Sequence, residues 1–528
     1  MEDVHNYRSH EEFINRSRKL EEIKALGVEP YPHSFYPTHS PLKLHEEYSD
    51  GDLGTSEDAA AGTTLNVCVA GRLVLFRAMG KNAFAQLQGE TSRIQIMFNR
   101  ENTVVTGYDP EGCGVVQAPK PLKFLEKKLD LGDIIGVEGH IFRTQKGELT
   151  VYAKKVTLLC KTLLPLADKH AGLADKEVRY RKRWLDLITH DDVMKTFITR
   201  SAIVRTIRRC FEDADFTEVE TPVMQNIYGG AQARPFKSHC NALDQEMFLR
   251  ISPEISLKKL IIGGMDKIYE IGKVFRNEGI DKSHNPEFTI LEAYASYWDY
   301  NDMMSFVEKL FETLALELYG DTKVPVGSEE EGNLTYIEMK APWRRVTMKD
   351  SIKEYGGVDV EGMDDDALRA VIVEKSAFDA DDVKDTPRGL LIAHLFEELV
   401  EDKLIQPHHI TDHPIETTPL CKPHRDPKER ADGIVERFES FMMGREMCNA
   451  YTELNDPVIQ KDLLEDQASR LASGDEEANP LDEEFIEAIC QGMPPTSGVG
   501  IGIDRLVMVF TNAASIRDVL FFPFMKKE

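Results

Sequence analysis

The sequence predicts an α+β protein in two parts, a small all-β unit followed by a larger mixed one. Three observations predict this. Residues 65–160 break into about five short strand-like runs separated by turn residues. From about residue 166 the character changes, and strands mix with helices through to the C-terminus. At 528 residues the chain exceeds one ordinary domain. The expected division is 1–62 as an N-terminal helix and extension, 63–165 as the β unit and 166–528 as the mixed domain.

Residues 9–27 read as a helix, with Ser9 and Glu12 as a capping box and Gly27 as the stop before Pro30-Tyr31-Pro32. Residues 49–62 are acidic and rich in Gly and Ala, which reads as a linker or mobile turn. The runs beginning at Asn66, Ala83, Arg93, Asp133 and Glu148 follow as strands. Five such strands suit an oligonucleotide-binding barrel. Any small β-barrel or sandwich shares the pattern. A helix at 191–214 leads into Phe216-Thr217-Glu218-Val219-Glu220-Thr221-Pro222-Val223-Met224, where Pro222 marks an edge. Residues 322–430 are less regular and strongly charged, and read as a helical insertion with connecting strands.

Two segments carry most of the chemistry. In Phe288-Thr289-Ile290-Leu291-Glu292-Ala293-Tyr294, strand alternation puts Phe288, Ile290, Glu292 and Tyr294 on one face. Thr289, Leu291, Ala293 and Ala295 form the other face, which is small, apolar and fit to bury. Phe288 and Glu292 stand roughly 13 Å apart at strand rise, about the reach of an adenylate. In Gly498-Val499-Gly500-Ile501-Gly502, alternating glycines strip one face, so a ligand or another backbone can approach closely.

The formal net charge of −27 argues against general affinity for nucleic acid, which rests on Lys and Arg neutralising phosphates, but leaves room for a local basic face. Acidic runs such as Asp364-Asp365-Asp366 read as solvated faces. Eight cysteines lie scattered with no C-x-x-C pair, so neither a disulfide framework nor a zinc site is expected. No signal peptide and no bilayer-spanning run is visible, and a reducing cytoplasm is the simplest placement. No G-x-x-x-x-G-K-[ST] loop is present.

Arg276-Asn277-Glu278-Gly279 followed by His284-Asn285-Pro286-Glu287-Phe288-Thr289 resembles motif 2 of the class II aminoacyl-tRNA synthetases. The resemblance implies that Arg276 binds the α-phosphate of ATP and that Phe288 stacks on adenine. Glu278, His284 and Asn285 would face the nucleotide. Phe216 to Met224 resembles motif 1, with Pro222 at a homodimer interface. The glycine strand with Asp504-Arg505 resembles motif 3, in which Arg505 would hold the γ-phosphate. The catalytic domain is then expected to be an antiparallel sheet flanked by helices. The β unit is similar to the OB-fold anticodon-binding barrel of the Asp/Asn/Lys subgroup, which assigns the anticodon to Phe84, Gln95 and Glu148. A stacking ring and edge hydrogen bonds read single-stranded RNA in this way.

The amino acid is read from charge. Asn449, Tyr451 and Glu453 share one face of a strand-like segment. Glu292, Tyr294 and Glu453 together would form an anionic, aromatic-walled slot. Buried carboxylates are costly without a cation, and a lysine ammonium supplies one with three donors. Taken singly, each acid could be an ordinary salt-bridge partner. The row resembles the lysyl members of the subgroup, which implies L-lysine and tRNA(Lys) as substrates beside ATP. The resemblance also puts the α-amino group on Gly230 and Glu254, and Mg²⁺ on Glu439 and Glu446. Hard carboxylate oxygens suit Mg²⁺. The parity of Glu446 differs from that of Asn449 and Glu453, so either a bulge intervenes or Glu446 reaches around an edge. An aspartyl or asparaginyl relative is the nearest rival, and an Arg or Lys at the bottom of the slot would mark an aspartate site.

Overall fold

The computed structural model describes residues 7–115, 118–166, 173–376 and 378–527. The chain divides into two compact units, Met1–Lys195 and Thr196–Glu528.

The first unit opens with α1 (Glu11–Ala25). Its cap is His10, whose Nδ1 accepts from the Glu12 amide, rather than the expected Ser9. The expected linker at 49–62 contains a short helix, α2 (Ser56–Ala61). Thr55 and Asp58 close a capping box at its start, and Gly62 ends it in the left-handed region. Together those caps hold an alanine-rich stretch that composition alone made look loose.

Five strands follow: β1 (Asn66–Met79), β2 (Asn82–Gln88), β3 (Arg93–Asn99), β4 (Ile134–Arg143) and β5 (Leu149–Cys160). They pair in the order β3-β2-β1-β4-β5, and β3 pairs with β5 to close the barrel. Alternate residues fill the interior: Ala83, Ala85 and Leu87 from β2, and Ile94, Ile96 and Phe98 from β3. Their neighbours Phe84, Gln86 and Gln95 therefore face outward.

The second unit is built on an eight-stranded sheet. Its strands are β6 (Thr217–Glu218), β7 (Lys267–Phe275), β8 (Glu287–Ser296), β9 (Arg344–Thr347), β10 (His408–Pro414), β11 (Ile434–Met442), β12 (Arg445–Thr452) and β13 (Thr496–Gly502). The order is β9-β10-β11-β12-β13-β8-β7-β6. Pairing is antiparallel except at the two edges, where β9–β10 and β6–β7 run parallel. One face is apolar. Leu291, Ala293, Ala295, Ala450, Val499 and Ile501 pack there against α6 (Tyr300–Tyr319) and α11 (Ile503–Phe510). Leu310, Phe311 and Leu314 of α6 are fully buried on it, each contributing on the order of 2 kcal/mol of transfer free energy. The parity expected for β8 therefore holds.

The insertion forms a smaller core of its own. There α7 (Asp365–Lys375) and α8 (Arg388–Leu399) pack Leu368, Ile372, Leu391 and Phe396 onto Ile410 and Phe441. The motif 1 segment is anchored to β7. The Thr221 amide and hydroxyl donate to Glu270 Oε2 at 3.1 and 2.7 Å, and Arg250 pairs with Glu270 at 2.5 Å. Among the described residues no helix is long and apolar enough to cross a membrane.

Candidate active site

Three strands make the floor. β13 lies between β8 and β12, so Tyr294 and Tyr451 stand opposite Gly498, while Glu292 and Asn449 stand opposite Gly500. The need for glycine is steric. A Cβ at Gly498 would lie 2.1 Å from Glu453 Oε1 and 2.5 Å from the Tyr294 ring. Stripped in this way, the middle strand leaves a cavity of about 680 Å³. Every residue of the second unit singled out from sequence for ATP, lysine or metal lines this one cavity.

At one end the acids gather. Ser252 donates from Oγ to Glu292 Oε1 at 2.8 Å, and the Tyr294 hydroxyl donates to Glu292 Oε2 at 3.2 Å. Burial, then the charge of Glu254, pushes Glu292 up to about 8. The Tyr451 hydroxyl donates to Glu254 Oε1 at 2.6 Å. Gly230, at φ +88°, sits so close that a Cβ would come within 2.8 Å of Ser252 Oγ and of Glu254 Cβ. Asn449 faces the same space and accepts from Arg437 Nε at 3.0 Å.

One expectation is corrected here. An Arg or Lys at the bottom of the slot is expected to mark an aspartate site, yet this acid-rich slot has Lys258 behind it. It lies on α5 (Glu254–Ile262), one turn after Glu254, and is completely buried. Its Nζ is 2.5 Å from Glu254 Oε1 and 2.5 Å from Glu453 Oε2. Burial alone would lower this ammonium, but the charges of Glu254 and Glu453 outweigh it and hold Lys258 protonated. Glu453 moves up to about 8, because burial and Glu254 together exceed the pull of Lys258. Glu453 Oε1 is buried with no hydrogen-bond donor among the described residues. Three carboxylates thus face one built-in ammonium, and an acceptor stays open. The Glu-x-x-x-Lys spacing on a helix was visible in the sequence, but the strand that Lys258 reaches was not. Lys258 sits under an acid-rich slot, which differs from the cation-floored slot of the aspartate rival.

At the other end the bases gather. Arg276 follows β7, and its guanidinium carbon lies 5.2 Å from the centre of the Phe288 ring. Arg505, on the first turn of α11, pairs with Glu446 Oε2 at 3.1 Å and meets His284 Nε2 at 3.2 Å. Asp281 in turn holds His284 Nδ1 at 2.8 Å. Asn285 donates from Nδ2 to the Glu287 carbonyl and accepts at Oδ1 from the Phe524 amide, which fixes the loop. Glu278 is exposed at the rim. Asp504 accepts from the Thr289 amide at 2.7 Å and thereby ties the glycine strand's helix to β8.

Glu439 and Glu446 lie on neighbouring strands. A β-bulge between them resolves the parity question: Ser440 pairs with Cys448 and Phe441 with Glu446, so Met447 is the extra residue. Burial pushes Glu439 up to about 7, with Arg437 pulling against it and Glu446 and Glu401 adding to it. Crowded carboxylates of this kind fit a hard cation. Among the described residues no group of three His, Cys, Asp or Glu converges as a metal cage. Two protein carboxylates with water and phosphate oxygens suit Mg²⁺ better than an all-protein site. Arg437 was missed from sequence. Its Nη2 lies 2.6 Å from Glu439 Oε1, while Nε donates to Asn449 Oδ1, so it spaces the two ends.

In the first unit, Phe84 pairs with Met97, and Gln95 lies between Gln86 and Thr150. Phe84 and Gln95 thus share an outer surface of the barrel. Gln95 Nε2 donates to Thr150 Oγ1 at 2.9 Å. Glu148 is exposed just before β5.

Comparison with known proteins agrees with this geometry. A family model described as tRNA synthetases class II (D, K and N) matches residues 175–526, and one described as an OB-fold nucleic acid binding domain matches residues 67–159. A Chlamydia felis (strain Fe/C-56) protein named Lysine--tRNA ligase is 56% identical over 522 residues, covering 99% of this chain and 98% of the relative. One of the same name from Chlamydia pneumoniae is 54% identical over 522 residues, with 99% and 98% covered. Another from Nostoc punctiforme (strain ATCC 29133 / PCC 73102) is 45% identical over 515 residues, covering 97% of this chain and 87% of the relative. Matched by that family model over residues 175–526 and by these relatives over nearly its whole length, the chain belongs to the class II tRNA synthetases of the D, K and N family.

Proposed function

We propose that this chain is a lysine-tRNA ligase, which joins L-lysine to tRNA(Lys) at the expense of ATP. The observation that carries the reading is the acidic end of the cavity: three carboxylates against one ammonium, with Glu453 Oε1 open. In the reaction a lysine carboxylate oxygen attacks the α-phosphorus of ATP. The bond from that phosphorus to the bridging oxygen breaks, and pyrophosphate leaves lysyl-adenylate behind. A ribose hydroxyl at the tRNA 3′ end then attacks the adenylate carbonyl. The carbon–oxygen bond to AMP breaks, and the hydroxyl proton departs with AMP or to solvent.

Arg276 neutralises charge at the α-phosphate while Phe288 stacks on adenine, and Arg505 holds the γ-phosphate. Glu278, His284 and Asn285 shape the nucleotide loop. Glu292, Tyr294 and Glu453 take the lysine side chain, Asn449 and Tyr451 line it, and Gly230 and Glu254 take the α-amino group. Glu439 and Glu446 would hold Mg²⁺, which would supply neutralisation of phosphate charge. Positioning and electrostatics suffice for this chemistry without a protein nucleophile.

Residues 63–165 serve as the anticodon domain through Phe84, Gln95 and Glu148, residues 166–528 are catalytic, and 1–62 is an extension. The motif 1 segment exposes Val223 and Met224, with Ile227 exposed just beyond it, which suits burial in a homodimer. The protein works in the cytoplasm. The test is ATP–pyrophosphate exchange with each amino acid in turn. Exchange driven by lysine is expected, and exchange driven by aspartate or asparagine instead would overturn the assignment.

A further inference from the structure

We propose that Lys258 is a positioning residue for both ammonium groups of the amino acid. It ties Glu254 and Glu453 together behind the cavity wall and fixes the pocket at the charge of a diamino acid. This rests on the lysine reading above and deepens it. Lys258 does not line the cavity, so it holds the wall without filling the space. Its Nζ takes one oxygen of each acid, Glu254 Oε1 and Glu453 Oε2. Glu453 Oε1 is thereby left toward Gly498 and the Tyr294 ring, where a side-chain ammonium would arrive. Glu254 remains beside Gly230, at the α-amino position.

The charges balance. Glu254, Glu292 and Glu453 less Lys258 leave two negative charges when ionised, one for each ammonium of lysine. The substrate carboxylate is left to the arginine end. A buried ion pair is a weak source of stability but an effective way to fix geometry, since removing one partner strands the other.

The groups facing Lys258 are few. On its own helix there is Glu254, on β12 the Tyr451 ring at 5.5 Å, and beyond β12 Glu453. Phe485 contributes a ring at 6.0 Å, and Cys421 lies close enough to feel its charge. Lys258 opposes the burial of Glu453, so removing it pushes Glu453 further up.

The test is lysine KM in pyrophosphate exchange from pH 6.5 to 9.5 for the parent, Lys258→Met, Lys258→Gln and Lys258→Arg. ATP binding measured without lysine reports that the fold is intact. For Lys258→Met we expect lysine KM to rise roughly 30-fold at pH 7.5, with its minimum displaced about one unit to higher pH. ATP binding should change less than about threefold. Lys258→Arg should keep the parent profile with a smaller rise in KM, because Arg restores the charge but not the shape. Should the Met variant fail to fold, the Gln and Arg pair carries the same comparison. An unshifted pH profile in the folded neutral variants, or equal damage by Arg and Gln, overturns the proposal and leaves Lys258 structural. Failure of the parent to use lysine at all would instead overturn the function itself.

Discussion

The two ends of the cavity solve opposite electrostatic problems in different ways. At the amino-acid end, acids are buried, braced by Ser252, Tyr294 and Tyr451, and one cation is permanently built in. At the nucleotide end, Arg505 rests on partly exposed partners, Glu446 and His284. On the proposed function, phosphates would displace those contacts, whereas lysine would meet a carboxylate oxygen that no protein donor occupies. On that reading the braced end would select, and the exchangeable end would bind a ligand whose charge changes during the reaction.

The strongest way to break this contrast is at the nucleotide end. Arg276→Ala should slow pyrophosphate exchange by about 10³-fold, the scale of losing a donor aimed at developing charge. Lysine binding measured by calorimetry without ATP should stay within about threefold. If lysine binding collapsed as well, the two ends would not be separable.

Next comes the opposite end. Glu453→Gln keeps the shape and removes the charge, and should raise lysine KM by about 100-fold, in the range for truncating a buried charge pair. ATP KM should barely move. An equal loss of both would count against the slot.

Proton linkage sharpens the comparison. Burial pushes Glu292 and Glu453 up to about 8, which favours their protonated forms and links their ionisation to the arrival of lysine. Lysine KM should therefore fall at least about tenfold from pH 6.5 to 8.5. ATP KM should show no such slope. The same shifts bear on stability. A carboxyl raised above its unfolded value stabilises the fold fully below pH 4.5, and that contribution is lost as pH climbs through about 8. The unliganded protein should melt lower at pH 9 than at pH 6, and saturating lysine should close the gap. A flat melting profile would mean the acids are already ionised at neutral pH.

The smallest effect lies outside the cavity. Phe84→Ala should raise tRNA KM about tenfold, the lower part of the range for one base–aromatic stack, and leave pyrophosphate exchange unchanged. Unchanged tRNA kinetics would remove the ring from anticodon reading.

Much of this was legible in the chain. Alternation along β8 separated the ligand face from the core face before any contact was known, and the glycine strand announced a close approach. Local signals failed where a partner distant in sequence decides. Lys258 belongs to the site only because Glu453 folds back beneath it. Arg437 acts through Asn449 on the next strand. The bulge at Met447 has no sequence mark of its own, and only the ladder shows why Glu446 and Asn449, three apart, can look the same way. Composition misjudged residues 56–61 within the 49–62 stretch, because two caps outweigh a small, flexible make-up, while 49–55 are irregular as expected.

Gly498 has a consequence for how such a pocket could change its preference. With no room for even a methyl group at Gly498, an alteration of taste at this point must be written on the strands to either side or on the helix behind. This one position is thus a blank page, kept empty so that its neighbours can be read.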